Sequence, residues 1–195
     1  MVGAAQVAAC LALALALCTG AQAAGFRVEG SCRDGYAHGL YELRDDKGTV
    51  RAVGAFNRGK RTGSFLFWTA SGGREAQLPF DEDILSGTVA MWWPAPPRGE
   101  ARPRLEASYV RGKRTGPLRT WYASGKPKAE TQYEAGELRA ARAMTEAGGR
   151  LPDAAARALA ERESADADAL LGSLMSLVGA NLPHCEPASD RLERS

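Results

Sequence analysis

The chain has 195 residues, of which 45% are apolar and 25% charged, and its formal net charge at pH 7 is +2. A chain of this length can bury one modest core or a series of stacked units. The small positive charge is too low to indicate a nucleic-acid partner.

The amino terminus predicts export. Residues 1–26 contain no Lys, Arg, Asp or Glu, and the apolar run 7–17 has the length of the hydrophobic region of a signal peptide. Ala21-Gln22-Ala23 supplies a small-x-small cleavage site. The run is too short for a membrane span, which needs about 20 apolar residues. We therefore predict a signal peptide over residues 1–23 and a periplasmic or secreted protein. Lipid anchoring at Cys18 is the weaker alternative, because Leu17 is large for the position before a lipoprotein cysteine.

The middle of the chain repeats itself. Residues 58–63 and 111–116 both read RGKRTG. Trp68 and Trp121 lie five residues after the second glycine of each copy, and Phe80 and Tyr133 lie seventeen residues after it. Self-similarity at a fixed period indicates a repeat protein.

The same glycine anchors a longer series of five units, spaced by 24, 24, 29 and 24 residues. The excess of five falls on a proline-rich insertion at 93–99. We predict one repeat domain over residues 24–150. The anchors are Gly39, Gly63, Gly87, Gly116 and the degenerate Ala140.

The pattern G-K-R-x-G, followed at fixed offsets by Trp, Gly and Tyr, resembles the MORN-repeat variant of bacterial proteins. The resemblance covers about residues 33–150 and is strongest in the second and fourth units. Some members of that family are labelled antitoxins of toxin–antitoxin systems. The resemblance implies a protein-interaction or scaffolding surface and offers no catalytic residues.

Each unit predicts a β-hairpin. The residues after the anchor are aromatic, β-branched and apolar, and turns such as 70–72 and 123–125 contain glycine. We expect a mainly β fold, an elongated antiparallel sheet of about five 24-residue hairpins over residues 33–150. Strands of about 5–6 residues are expected, as is usual, and the first and fifth units should lie apart. The glycines nine residues after the anchor are expected at positive φ; they are Gly48, Gly72, Gly125 and Gly149.

Strand alternation predicts two different faces. Phe65 and Phe67 share one face, whereas Leu66 and Trp68 fall on the other. Both faces carry large apolar residues in the middle units, so we expect the C-terminal region to cover one of them. The tryptophans are expected to stack between neighbouring repeats, with a platform for sugar or lipid as the alternative.

Residues 151–195 predict a C-terminal α-helical cap and tail. Asp153 is a candidate N-cap behind Pro152, and strong helix formers follow. A second helix is expected from Ser164 or Asp166, with Pro183 as its stop. This region carries four basic and eight acidic side chains and can lie against the more basic repeats.

Cleavage of the signal peptide would leave two cysteines, Cys32 and Cys185. An even pair in an exported chain indicates a disulfide. Zinc bound by these cysteines with His38 and His184 is the alternative. Adjacent His184 and Cys185 would rarely reach one ion, and the spacing from Cys32 to His38 is unusual for ligands. We predict the disulfide and no metal.

Basic turns and aromatic residues define a candidate binding surface. Its residues are Arg58, Lys60, Arg61, Trp68, Trp92, Trp93, Arg111, Lys113, Arg114, Trp121 and Tyr122.

No motif predicts catalysis or a cofactor. Residues 54–60 match the start of a phosphate-binding loop, but Arg61 stands where Ser or Thr must coordinate Mg²⁺. We expect a non-enzymatic exported protein that acts as an interaction or scaffolding module in the cell envelope, with an unknown protein partner. One alternative is a module that binds anionic lipid or cell-wall polymer through the basic turns and tryptophans. The other is an antitoxin or immunity-type inhibitor.

Overall fold

A computed structural model describes residues 25–95 and 99–186, so the predicted signal peptide lies outside the described residues. The described chain forms eleven β-strands followed by one helix, α1 (Asp153–Gly179). The strands are β1 (Phe26–Arg33), β2 (Tyr36–Asp45), β3 (Val50–Asn57), β4 (Lys60–Trp68), β5 (Arg74–Asp81), β6 (Ile84–Leu85), β7 (Gly87–Trp92), β8 (Pro103–Val110), β9 (Lys113–Trp121), β10 (Pro127–Glu134) and β11 (Glu137–Ala143).

The strands form one open antiparallel sheet in which each strand pairs with the next along the chain. The short β6 pairs with β5 beside this path. β1 and β11 are the two edges, so the first and last units lie apart, and the predicted sheet of repeated hairpins is confirmed. Apart from β6 the strands have 6–10 residues, most of them longer than expected. The sheet also begins at Phe26, before the predicted start at 33, because β1 pairs along its full length with β2.

The RGKRTG repeat builds a stacked turn. Arg58 and Gly59 have φ of 48° and 80°, so both central residues of the β3–β4 turn are left-handed, as in a type I′ hairpin. The Gly59 amide donates to the Ala37 carbonyl of the preceding unit at 2.8 Å. The corresponding turns of three later units donate in the same way, to Arg61, Leu85 and Arg114. Each tight turn is therefore hydrogen-bonded to the unit before it.

The wider loops at the other end of the hairpins use glycine as predicted, with one exception. Gly48, Gly72 and Gly125 have φ between 80° and 86°. In the last unit the left-handed residue is Gly148, at φ 94°, and the expectation for Gly149 is wrong. The Gly148 amide closes this loop onto the Thr145 carbonyl at 2.9 Å.

The core lies between one face of the sheet and α1. Phe65, Phe67 and Leu78 are among the sheet residues that are fully or almost fully buried. Four buried helix residues at spacings of three and four pack against them: Ala167, Leu171, Leu174 and Val178. The predicted helical cap therefore covers a face of the sheet, because its apolar stripe matches the apolar face of the strands.

The prediction of two helices is wrong. One helix of 27 residues runs through Ser164 and Asp166, because alanines at 165, 167 and 169 sustain helix propensity there. Asp153 is the first helical residue and makes no capping bond with its side chain. The helix ends at Gly179, so Pro183 is not its stop.

The segment after α1 fastens the helix to the first hairpin. A disulfide joins Cys32 of β1 to Cys185, with the two Cα atoms 5.6 Å apart. The Tyr41 hydroxyl donates to the Asn181 carbonyl at 2.7 Å. Pro183 packs so close to Gly30 that a Cβ there would lie 2.7 Å from the Pro183 ring. The predicted disulfide is therefore accompanied by a packed contact.

Candidate functional site

The face of the sheet opposite α1 is open and carries a straight row of side chains. Cross-strand register places one residue of each strand on the path in this row. Its middle is apolar and its ends are charged. In strand order the row reads Glu29, Glu42, Val53, Leu66, Gln77, Ala90, Glu106, Arg119, Glu130 and Arg142.

Three of the four tryptophans lie on this open face. Trp68, Trp92 and Trp121 each follow a residue of the row by two positions, so their side chains point the same way. All three are half-buried, and none belongs to the core beneath α1. We call the row and these three indoles the open-face surface.

The indole of Trp92 contacts a cation of the neighbouring repeat. The Arg74 guanidinium carbon lies 3.9 Å from the ring centroid of Trp92, within the range of a cation–π interaction. Arg74 also donates from Nη2 to the Gln77 side chain at 3.1 Å. The predicted packing of tryptophans between repeats is found at Trp92, with arginine rather than a second ring as the partner.

Trp93 and Tyr122 connect repeats through their polar atoms. The indole nitrogen of Trp93 donates to the Trp121 carbonyl at 3.0 Å. The Tyr122 hydroxyl donates to the Met144 carbonyl at 2.8 Å. Because these polar groups are used inside the protein, both residues contribute to the cohesion of the sheet.

A shallow pocket of about 380 Å³ lies on the open face near the last hairpins. Trp121, Pro127 and Met144 contribute apolar walls, and Glu130 and Arg142 contribute charge. Glu130 is paired with Arg119 at 3.3 Å. The pocket therefore offers an apolar floor beside an exposed guanidinium.

The predicted basic turns differ in their availability. Arg58, Arg111 and Lys113 are exposed. Lys60 is paired with Glu82 at 3.1 Å, and Arg61 with Asp83 at 2.7 Å. Although partial burial alone would raise it, the hydrogen bonds from Arg61 lower the pKa of Asp83 below its usual value. The turn carboxylates Glu82 and Asp83 therefore neutralise part of the neighbouring basic turn.

The interpretation of Arg114 as part of an exposed binding turn is wrong. Only 9% of Arg114 is exposed, and its Nε donates to the Tyr109 hydroxyl at 2.7 Å. Its Nη atoms donate to the Ser164 hydroxyl and to the Asp168 carboxylate of α1. Burial works against the charged form, but Tyr109 and Asp168 outweigh it and raise the pKa of Arg114. Arg114 anchors the helix to the sheet.

Metal binding at the cysteines has no support in the geometry. Both sulfur atoms form the disulfide and cannot act as thiolate ligands. Within residues 25–95 and 99–186 no cluster of three or more His, Cys, Asp or Glu side chains is arranged to hold an ion. Nor does that part of the chain contain a helix with the apolar length needed to cross a bilayer.

Sequence reasoning placed Trp68, Trp92 and Trp121 but missed the partners that surround them. Arg74, Gln77 and Arg142 join the open-face surface through strand register. The position of Arg74 depends on a β-bulge, which pairs Trp68 with Arg74 but Phe67 with Ala76. The repeat spacing could have aligned these positions, but it does not reveal the bulge.

No model of a protein family matches the chain, and no characterised protein matches it.

Proposed function

We propose that the protein is a non-enzymatic interaction module that binds a protein partner through the open-face surface. The observation that carries the proposal is the asymmetry of the sheet. One face is covered by α1, whereas the opposite face exposes Val53, Leu66 and the indoles of Trp68, Trp92 and Trp121 to solvent in part.

The size of this face suits a macromolecule. Ten strands in sequence span nine inter-strand steps of about 4.8 Å, or about 43 Å. A standard protein–protein interface buries about 800 Å² on each partner. Aromatic residues and arginine at the centre of a patch are typical of binding hot spots.

The repeat pattern and the amino terminus complete the proposal. The resemblance to the MORN-repeat variant favours a scaffolding role, and the predicted signal peptide favours the cell envelope as the compartment. An enzymatic role has no motif to support it.

A second candidate is a module that binds an anionic surface, such as lipid or cell-wall polymer, through the basic turns. Arg58 and Arg111 favour it, because both are exposed at tight turns and so can present their charge to an anionic surface.

One experiment separates the two candidates. The protein carries an affinity tag and is crosslinked in its native envelope, and partners are compared for the wild type, Leu66→Lys and Arg58→Gln. Leu66 lies at the centre of the open-face row, whereas Arg58 lies on an exposed turn. Leu66→Lys should remove the crosslinked partner and Arg58→Gln should retain it.

Salt provides an independent control. Exposed charges are screened over about 8–10 Å at physiological ionic strength, so binding by the basic turns should weaken as salt rises. Binding through the open face should change little. If capture survives Leu66→Lys but is lost with Arg58→Gln or in high salt, the second candidate replaces the first.

A further inference from the structure

A groove of about 520 Å³ lies on the other side of the sheet, between the C-terminal half of α1 and the turns that join β3 to β4 and β5 to β6. Phe56, Met175, Val178 and Leu182 line it with apolar surface. Gly172 lies on the helix wall of the groove, where an added Cβ would meet no atom within 4 Å. The groove is therefore apolar and is kept open by a helical glycine.

Arg61 supplies positive charge at the rim of this groove. Its Nε donates to Asp83 at 2.7 Å, and its guanidinium carbon lies 4.5 Å from the Phe80 ring centroid. Among the described residues, the two Nη atoms of Arg61 have no hydrogen-bond partner. Since a guanidinium presents five N–H donors, the edge formed by the Nη atoms is available to a second acceptor.

Another copy of the repeat shows which groups bind an arginine at this position. Arg114 occupies the same position as Arg61, two residues before the anchor glycine. Its Nη atoms bind the Asp168 carboxylate and the Ser164 hydroxyl of α1, and its Nε binds Tyr109.

The equivalent partners are missing around Arg61. Phe56 lies seven residues before the anchor Gly63, where Tyr109 lies seven residues before the anchor Gly116, so the hydroxyl is absent. The helix contributes Gly172, Met175, Ser176 and Gly179 to the groove and brings no carboxylate. Asp168 of α1 supplies the carboxylate that binds Arg114. At the equivalent place beside Arg61, α1 supplies no carboxylate, and the groove is open.

We propose that this groove binds a small apolar monocarboxylate. The carboxylate would accept hydrogen bonds from the Nη atoms of Arg61, and the hydrocarbon chain would lie along Phe56, Met175 and Val178. The volume is within the range of about 300–1,000 Å³ that is usual for small-molecule sites. The groove lies on the helix side of the sheet, so it is independent of the open-face surface and of the function proposed for it.

The local charge balance limits how strong the binding can be. Lys60 and Arg61 are matched by Glu82 and Asp83, so the rim is close to neutral. Affinity must therefore come from the paired hydrogen bonds to Arg61 and from burial of the hydrocarbon chain. A charged but strongly hydrophilic acid, such as acetate, should bind poorly.

Calorimetric titration of the purified protein with octanoate tests the proposal, with octanol as the neutral probe. The wild type should bind octanoate more tightly than octanol. Arg61→Gln should weaken octanoate binding by about tenfold or more, the factor expected for a hydrogen bond to a charged group. Arg162→Gln removes a charge from an exposed position of α1 outside the groove and should leave the affinity unchanged.

Two further variants keep the test independent of any effect of Arg61 on folding. Gly172→Leu should fill the groove and abolish binding while the helix is retained. Asp83→Asn keeps a side chain that tolerates left-handed backbone, removes the competing carboxylate, and should raise the affinity for octanoate. Equal binding of octanoate and octanol, no binding by the wild type, or full binding by Gly172→Leu would each overturn the proposal.

Discussion

At the residue scale, glycine has opposite roles in the sheet and in the helix. Gly54 lies in β3 at a position where an added Cβ would come 2.5 Å from the Phe65 ring. Phe65 is fully buried and contacts the rings of Phe56 and Phe80 edge to face. Gly54 is therefore required by packing, whereas Gly172 in α1 has no atom within 4 Å of an added Cβ.

The same substitution should thus have opposite effects at the two positions. Gly54→Ala should lower the free energy of unfolding by about 1–3 kcal/mol, because overpacking displaces a buried ring. Gly172→Ala should raise it by about 0.5–1 kcal/mol, because alanine restricts the unfolded chain and favours helix. Urea unfolding followed by circular dichroism measures both; destabilisation by Gly172→Ala would contradict the open position on the helix.

The ion pair between Asp83 and Arg61 makes a testable contribution to stability at acid pH. Because the folded-state pKa of Asp83 is lowered, its contribution is present above the unfolded value of about 3.9 and is lost as pH falls through the folded value. Asp83→Asn lacks this contribution at every pH. The wild type should therefore lose more stability than the variant between about pH 5 and pH 2. Urea titrations at several pH values measure the unfolding free energy of both proteins. If the two free energies fall in parallel over that range, the ion pair does not contribute to stability.

At the element scale, α1 is held by a buried arginine as well as by its apolar stripe. Asp168 is largely exposed, whereas its partner Arg114 is buried. Removing the carboxylate therefore leaves a buried guanidinium that keeps only the Tyr109 and Ser164 hydroxyls and the Ser164 carbonyl, at 3.4 Å, as acceptors. Removing Asp168 therefore leaves a buried charge without its carboxylate, whereas removing Arg114 would leave an exposed carboxylate that water can solvate.

Asp168→Ala should destabilise the protein by about 1–3 kcal/mol, the cost of losing a hydrogen bond to a buried charged group. Asp166 lies two residues away on the exposed side of the helix and provides the matched control, with an expected change within about 0.5 kcal/mol. Hydrogen exchange should show earlier opening of α1 in Asp168→Ala. If the Asp168 and Asp166 variants were equally stable, the ion pair between Arg114 and Asp168 would not contribute to the packing of α1 on the sheet.

At the scale of the whole molecule, the disulfide ties the two ends of the described chain together. It closes a loop with a sequence separation of 153 residues. The chain-entropy model assigns a loop of this size about 4–5 kcal/mol of stabilisation. The contacts of Tyr41 with Asn181 and of Pro183 with Gly30 lie beside the disulfide. Loss of the disulfide should therefore first separate the segment after α1 from the β1 edge.

Replacing Cys32 and Cys185 together by serine should lower the unfolding free energy by several kcal/mol, up to about 4–5 in the chain-entropy model. Urea unfolding of the double variant against the oxidised wild type gives the value. Intact mass before and after reduction provides the control, since one disulfide gains two hydrogens. A double variant as stable as the wild type would mean that the contacts of Tyr41, Asn181 and Pro183 hold the C-terminal segment without the disulfide.

Export is a prediction about the whole chain that rests on residues outside the described ones. Protein isolated from its native host should begin at Ala24, because the small-x-small site ends at Ala23. Amino-terminal sequencing combined with cell fractionation checks this. A chain that still begins at Met1, found only in the cytosol, would contradict the compartment assigned in the proposed function.

The sequence by itself determined the unit of the fold. The spacing of glycines determines where the chain turns, because only glycine adopts left-handed backbone without cost. The alternation around Phe65, Leu66 and Phe67 determines which face is buried, since side chains alternate along a strand. The disulfide could be predicted because only two cysteines remain after residue 23.

Only the tertiary structure decided how these units and the helix fit together. The β-bulges that bring Arg74 beside Trp92 have no signal in the spacing of hydrophobic residues. Arg61 and Arg114 stand in identical hexapeptides, yet one lines a groove and the other is buried. The difference arises because α1 crosses the repeats once, so that Asp168 reaches one arginine and glycine faces the other. A local sequence cannot specify which copy of a repeat a distant helix will contact.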